Sequence, residues 1–150
     1  MAREGSKCVE VMGVSDKRLI TALFCGSLTG DFLPMQVVYK GTTNRCHPRY
    51  KFPPDWHITH SPNHWSTEIT MIDYINEIII PYVERQREFF GEEKAALVIM
   101  DNFKGQITPA INSLLEENNI DVCLLPPNTT DLPRIFLDGN SKIGSYTLLK

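Results

Sequence analysis

Apolar positions along this chain come in blocks, and their spacing changes from one block to the next. From Arg18 to Leu28 the run Leu19, Ile20, Leu23, Phe24, Cys25 is mostly apolar and β-compatible, which predicts a strand. Thr29-Gly30-Asp31 is a turn signal. Leu33 to Tyr39 predicts a second strand closed by Gly41, so the pair reads as an antiparallel hairpin. Thr42 to Pro62 then carries Pro48, Pro53, Pro54 and Pro62, and predicts an ordered loop more than regular structure.

The spacing next turns helical. From Ser66 or Thr67, residues Ile69, Ile72, Ile75, Ile79 and Tyr82 recur at steps of three and four, which places them on one core-facing stripe. Pro81 should kink this helix, because it lacks an N–H and crowds the carbonyl four residues earlier. Gly91 ends it. Ala95 to Met100 is a continuous apolar run, as expected of a strand buried on both faces. Thr108 should cap a second helix with Pro109 at its first position and Ile111, Leu114 and Leu115 inward. Asp121 to Leu125 predicts another buried strand, stopped by Pro126-Pro127. The order strand, strand, helix, strand, helix, strand is an α/β pattern. Leu132 to Lys150 shows no clean period and stays unassigned, which suggests a domain over 1–131 and a divergent tail over 132–150.

Composition adds bounds. With 150 residues, 42% of them hydrophobic, the chain can bury one core. Its net charge of -3 lacks the basic balance of a free-standing nucleic-acid module, so any DNA contact must come from a local patch. Such a patch exists: Lys40, Arg45, Arg49 and Lys51 cluster beside Tyr50, suited to a DNA backbone or simply to a solvated loop. The cysteines Cys8, Cys25, Cys46 and Cys123 are scattered without a C-x-x-C pair, which favours reduced thiols. No signal core opens the chain, and its longest apolar run is far shorter than the ~20 residues of a membrane span, so no membrane association is expected.

Two segments carry candidate chemistry. Leu97-Val98-Ile99-Met100-Asp101-Asn102 is an apolar strand ending on a carboxylate. In open α/β sheets, sites form outside the carboxyl ends of strands, and a carboxylate there can bind Mg²⁺. The plain alternative is an Asp that caps a turn. The second segment, Leu124-Leu125-Pro126-Pro127-Asn128-Thr129-Thr130-Asp131, ends another strand in a rigid turn. Both strand ends could lie side by side in one sheet.

Gly30-Asp31-Phe32-Leu33-Pro34-Met35-Gln36-Val37-Val38-Tyr39-Lys40-Gly41, then Val98 to Asn102, then Leu125 to Asp131 resemble the DDE superfamily endonuclease domain of pogo/Tigger-like, mariner-related transposases, over roughly Val14 to Asp131. The resemblance implies an RNase H-like mixed sheet flanked by helices. It implies DNA as partner, action in the nucleus, and two-metal hydrolysis and strand transfer with Mg²⁺ or Mn²⁺ held by three carboxylates. Asp101 matches the second carboxylate and Asn102 its usual neighbour. Asp138 lies near the place of the third, in Leu132-Pro133-Arg134-Ile135-Phe136-Leu137-Asp138, where the usual Gln-Pro pair is missing; Asp131 is the weaker candidate. The first carboxylate belongs to an earlier strand that this chain is expected to lack, since Asp16 falls in a loop. The expectation is therefore a domain inactive as isolated, with a domesticated, non-catalytic DNA-binding or interaction module as the alternative. Loss of a central strand should also expose its neighbours and favour marginal stability or homo-oligomers.

One further cluster, His57, His60 and His64 with Cys46 and His47 upstream, offers zinc-ligand types without a recognised zinc spacing. The alternative is a loop in which these histidines pack between prolines, Trp56 and Trp65.

Overall fold

The structure, a computed structural model, describes residues 20–101, 107–125 and 146–149. Six strands form one mixed sheet: β1 (Ile20–Ser27), β2 (Gln36–Lys40), β3 (His57–Ser61), β4 (Ala96–Met100), β5 (Ile120–Leu124) and β6 (Tyr146–Leu149), in the spatial order β3-β2-β1-β6-β4-β5. This is the mixed α/β architecture expected, consistent with an RNase H-like fold.

The hairpin forms as predicted, with β1 antiparallel to β2 and Leu23 opposite Gln36. β2 starts later than Leu33 because Pro34 has no N–H to give to a ladder. Leu33 still joins the turn, donating its N–H to the Cys25 carbonyl at 2.9 Å. Gly30 sits at φ 97°, a backbone state that glycine reaches without a Cβ penalty.

The loop expected over Thr42 to Pro62 is corrected in part. His57–Ser61 pairs parallel to β2, with Gln36 opposite His57 and Tyr39 opposite His60. Ile58 and Thr59 are β-branched and suit an extended edge strand. Prolines stop only at Pro53-Pro54, leaving five consecutive N–H groups free to pair. The connection between the two strands contains a 3₁₀ turn, Asn44–Cys46.

The long helix begins where predicted. Thr67 is its N-cap, closed by a capping box in which Thr67 and Thr70 exchange backbone-to-side-chain bonds. It comprises α1 (Glu68–Tyr74), a π-helical turn (Ile75–Ile79) and α2 (Ile80–Phe90), ending at Gly91 with φ 110°. The kink expected from Pro81 takes the form of that π turn. Pro81 cannot bond the Glu77 carbonyl, and Ile80 instead donates to the carbonyl of Ile75, five residues back. The isoleucine stripe needs correction at one end. Ile75, Ile79 and Tyr82 are buried, but Ile69 is 71% exposed. Thr70, Met71 and Tyr74 turn inward in the first turn instead.

α3 (Pro109–Glu117) follows its prediction, with Thr108 accepting from the Ile111 N–H at 3.3 Å and Ile111 and Leu115 fully buried. The helices pack on the sheet face formed by Leu23, Cys25, Ala96, Val98, Met100 and Ile120. β4 is thus buried on that face and half-buried through Leu97 and Ile99 on the other, rather than fully buried on both. β5 is an edge strand, with Asp121, Cys123 and Leu124 exposed, so the expectation of a buried strand fails there. An edge strand has a neighbour on one side only and keeps less of its surface from water.

The tail left unassigned contributes β6. It lies between β1 and β4, parallel to the first and antiparallel to the second. β1 and β4 each pair with β6, so neither is an edge of the sheet.

Candidate active site and nucleic-acid face

The pairings fix a polarity. β2, β3, β4 and β5 all run one way, and β1 and β6 run the other. The carboxyl ends of four strands, β4 among them, therefore point the same way. Asp101 sits immediately past β4 and is partly exposed. Beside it, the Leu125 N–H donates to the Met100 carbonyl at 2.9 Å, so the ends of β4 and β5 stay in register up to this carboxylate. The two strand ends singled out in the sequence are thus neighbours. Asn102, Asp131 and Asp138 lie outside the described residues.

Strand alternation also fixes a face. Ala96, Val98 and Met100 point to the helices, so Asp101, next in the alternation, falls on the Leu97–Ile99 side. Gln36 and His57 are on the helix side; Tyr39 and His60, an odd number of positions away, are on the opposite side. The loop after β2 packs there. Tyr39 meets His47 and Phe52 at ring-centroid distances of 5.8 and 6.3 Å, Phe52 stacks with Trp56 at 6.1 Å, and Tyr50 meets Phe52 edge-on at 5.3 Å. Aromatic pairs at such separations add to area burial and order the loop.

Lys40 ends β2, Arg45 lies in the 3₁₀ turn, and Arg49 and Lys51 flank Tyr50; all four are exposed. The loop they occupy follows the carboxyl end of β2 and covers the face on which Asp101 lies, but the sheet is staggered, with Asp101 level with the start of β2. Register places Phe24 level with Tyr146 and hence with Asp101, while Lys40 lies farther along β2. Three strand spacings and five residues separate them, about 20 Å in all.

The histidine set weighed for zinc does not come together as a unit. His57 and His60 point to opposite faces of β3. His57 Nδ1 meets Gln36 Nε2 at 2.9 Å, and its Nε2 lies 3.4 Å from Glu77. His64 adopts φ 64° and packs on Trp65 at 5.2 Å. Sequence reading missed Gln36 altogether: a polar residue in an apolar strand, fully buried, whose signal was its position between Leu33 and Val37 on the inward face.

Compared with known proteins, residues 17–138 match the family model described as DDE superfamily endonuclease. No curated protein and no solved structure matches.

Proposed function

The chain belongs to the DDE superfamily endonuclease family, and on that footing we propose that it is a transposase-derived domain acting on DNA phosphodiesters in the nucleus. Within the family we place it in the pogo/Tigger-like branch. The segments Gly30 to Gly41, Val98 to Asn102 and Leu125 to Asp131 support that placement.

One observation carries the reading: Asp101 and the loop bearing Arg45, Arg49 and Lys51 share one face of the sheet and follow the carboxyl ends of strands that run the same way. The separation of about 20 Å between Asp101 and Lys40, where that loop begins, corresponds to about six base-pair steps of duplex DNA, at about 3.4 Å each. Cations at that distance would hold phosphates flanking the bond to be cut. They would also give a chain of net charge -3 a local surface for an anionic polymer.

A hard divalent cation, Mg²⁺ or Mn²⁺, fits Asp101 by donor type. A carboxylate oxygen at a partly exposed strand end leaves room for the waters that such an ion keeps. Asp101 and Asp138 are the residues we assign to hold it. When bound, it supplies Lewis-acid stabilisation of phosphoryl oxygens and a water of lowered pKa. The protein's own part is positional. β4 is paired on both sides and aims Asp101 from a rigid element; the aromatic-packed loop presents its cations without first having to order itself.

Two assigned carboxylates fall one short of the set the family chemistry uses, so we expect the 150 residues alone not to cleave DNA. A second reading, a non-catalytic DNA-binding module, is favoured by one point: the ring contacts that pack the basic loop are made among Tyr39, His47, Phe52 and Trp56, within β2 and the loop itself. A nicking assay in Mg²⁺ or Mn²⁺ tests both. It would compare the 150-residue chain, an N-terminally extended form carrying a further carboxylate, and Asp101→Ala in each. Cleavage by the 150-residue chain that Asp101→Ala abolishes overturns the inactivity claim. Cleavage by the extended form that survives Asp101→Ala overturns the role of Asp101, and failure of any form to bind duplex DNA overturns the reading as a whole.

A further inference from the structure

We propose that Cys46, His47 and His60 form a zinc site that fastens the basic loop to the edge strand of the sheet. The ligand atoms of these three residues all lie within 4.8 Å of one another. His47 Nε2 and His60 Nδ1 are 3.2 Å apart. Two imidazole nitrogens on one tetrahedral zinc, each at about 2.0–2.1 Å, would be separated by about 3.3–3.4 Å. The nitrogen pair already stands at nearly that spacing, and a thiol completes a set of the kind zinc prefers.

The site is built from two elements far apart in sequence. Cys46 closes the 3₁₀ turn and His47 follows as its cap, with their N–H groups held by the carbonyls of Thr43 and Asn44 at 3.1 and 3.2 Å. His60 comes from β3, opposite Tyr39 of β2. Gly41 completes the cradle. A Cβ at that position would stand 2.6 Å from the Cys46 sulfur, so the thiol occupies space that only glycine leaves. The Gly41 N–H in turn donates to the Ser61 carbonyl at 2.9 Å, joining the loop's start to the end of β3.

All three residues are partly exposed, so an ion has an entry path and a fourth position open to water. The ligands are soft and nitrogenous, unlike the carboxylate at Asp101, and suit zinc over magnesium. The site is three of the five residues weighed in the sequence, since His57 and His64 take no part. The consequence is local: a zinc ion would brace Arg45 and Arg49, which flank the ligand pair in sequence.

The test is titration of the full chain with Co²⁺ and then Zn²⁺, with X-ray absorption at the zinc edge. We expect one equivalent of tetrahedral cobalt with a thiolate charge-transfer band, displaced by zinc, and a zinc shell of one sulfur and two imidazole nitrogens. Cys46→Ser and His60→Gln should each weaken binding by at least about 100-fold, beyond the loss seen when only an outer partner is removed. His57→Gln and Cys123→Ser should leave it unchanged. A shell of oxygens only, or a cobalt spectrum that persists in Cys46→Ser, overturns the proposal. So does the absence of any tetrahedral cobalt in the unmodified chain, which would leave the His47–His60 contact as a simple hydrogen bond. The absorption shell is read on the unmodified protein, so misfolding of a variant does not decide the matter.

Discussion

Gln36 Nε2 donates to the Thr70 carbonyl at 2.7 Å, and its second hydrogen points to His57 Nδ1 at 2.9 Å. One buried amide thus joins β2, β3 and α1. A flipped amide would set oxygen against the Thr70 carbonyl, so the orientation follows from the acceptor. With Nδ1 accepting, the His57 proton sits on Nε2, facing Glu77 at 3.4 Å.

Removing that amide should be costly. Gln36→Leu fills most of the volume but strands His57 Nδ1 and takes the amide donor from the Thr70 carbonyl. Leaving buried polar groups unpaired costs roughly 1–3 kcal/mol. The Gln36 Oε1 atom is buried without a partner of its own, so its removal offsets part of that cost. Urea unfolding would show the midpoint falling at constant slope; an unchanged midpoint would mean the amide is dispensable.

The capping box predicts a smaller effect. Thr67→Ala removes the acceptor for the Thr70 N–H and should cost about 1 kcal/mol of stability. Thr67→Ser keeps the oxygen and should cost only a few tenths. Thermal unfolding of the pair separates the hydroxyl's contribution from that of the methyl group.

The basic loop is tested by salt. Each phosphate contact neutralised by a Lys or Arg contributes about 0.9 to the slope of log affinity against log salt. Replacing Lys40, Arg45, Arg49 and Lys51 together by Ala should lower the slope for duplex DNA by up to about 3–4. Fluorescence anisotropy across a salt series reads this directly. An unchanged slope would return the four cations to the status of a solvated surface.

Alkaline pH should destabilise the fold. Burial pushes the Cys25 thiol from 9.0 up to about 12, and burial followed by the adjacent Cys25 raises the Tyr74 phenol as well. Both groups are held protonated in the folded state, and Tyr74 donates its hydroxyl to the Pro34 carbonyl at 2.7 Å. Their stabilisation is complete below the unfolded-state pKa values and is lost as pH rises toward the folded ones. Stability should fall from about pH 9 upward, by about 1.4 kcal/mol per pH unit for each proton the unfolded chain releases. Urea midpoints between pH 8 and 11 measure it, and Cys25→Ala should flatten the slope.

Local signals were legible where one short segment decides the outcome. Thr108-Pro109 reads as a helix start because cap and first-turn chemistry need only neighbouring residues. The β1–β2 hairpin is legible for the same reason, and Asp101 declares itself because an apolar run ends on it. What remained hidden depends on distant partners. His57–Ser61 looks like proline-bounded loop until β2 offers it a ladder. Ile69 seems part of a stripe until the capping box rotates the first turn. Cys46 and His60 carry no joint spacing signal, because a parallel strand pair, not a motif, brings them together. The third carboxylate was read from resemblance alone, and Asp138 lies outside the described residues.

The place of β6 bears on the order of assembly. Tyr146–Leu149 is made after every other described strand, yet it sits between β1 and β4. Until it emerges, the ribosome-bound chain can complete a β1–β2–β3 unit and a β4–β5 unit, but not the seam between them. Closing that seam requires contacts across more than a hundred residues for β1, the kind of long-range pairing that slows folding. The nascent protein therefore exposes two open strand edges during synthesis, and its vulnerability to misassociation is greatest just before translation passes the last strand.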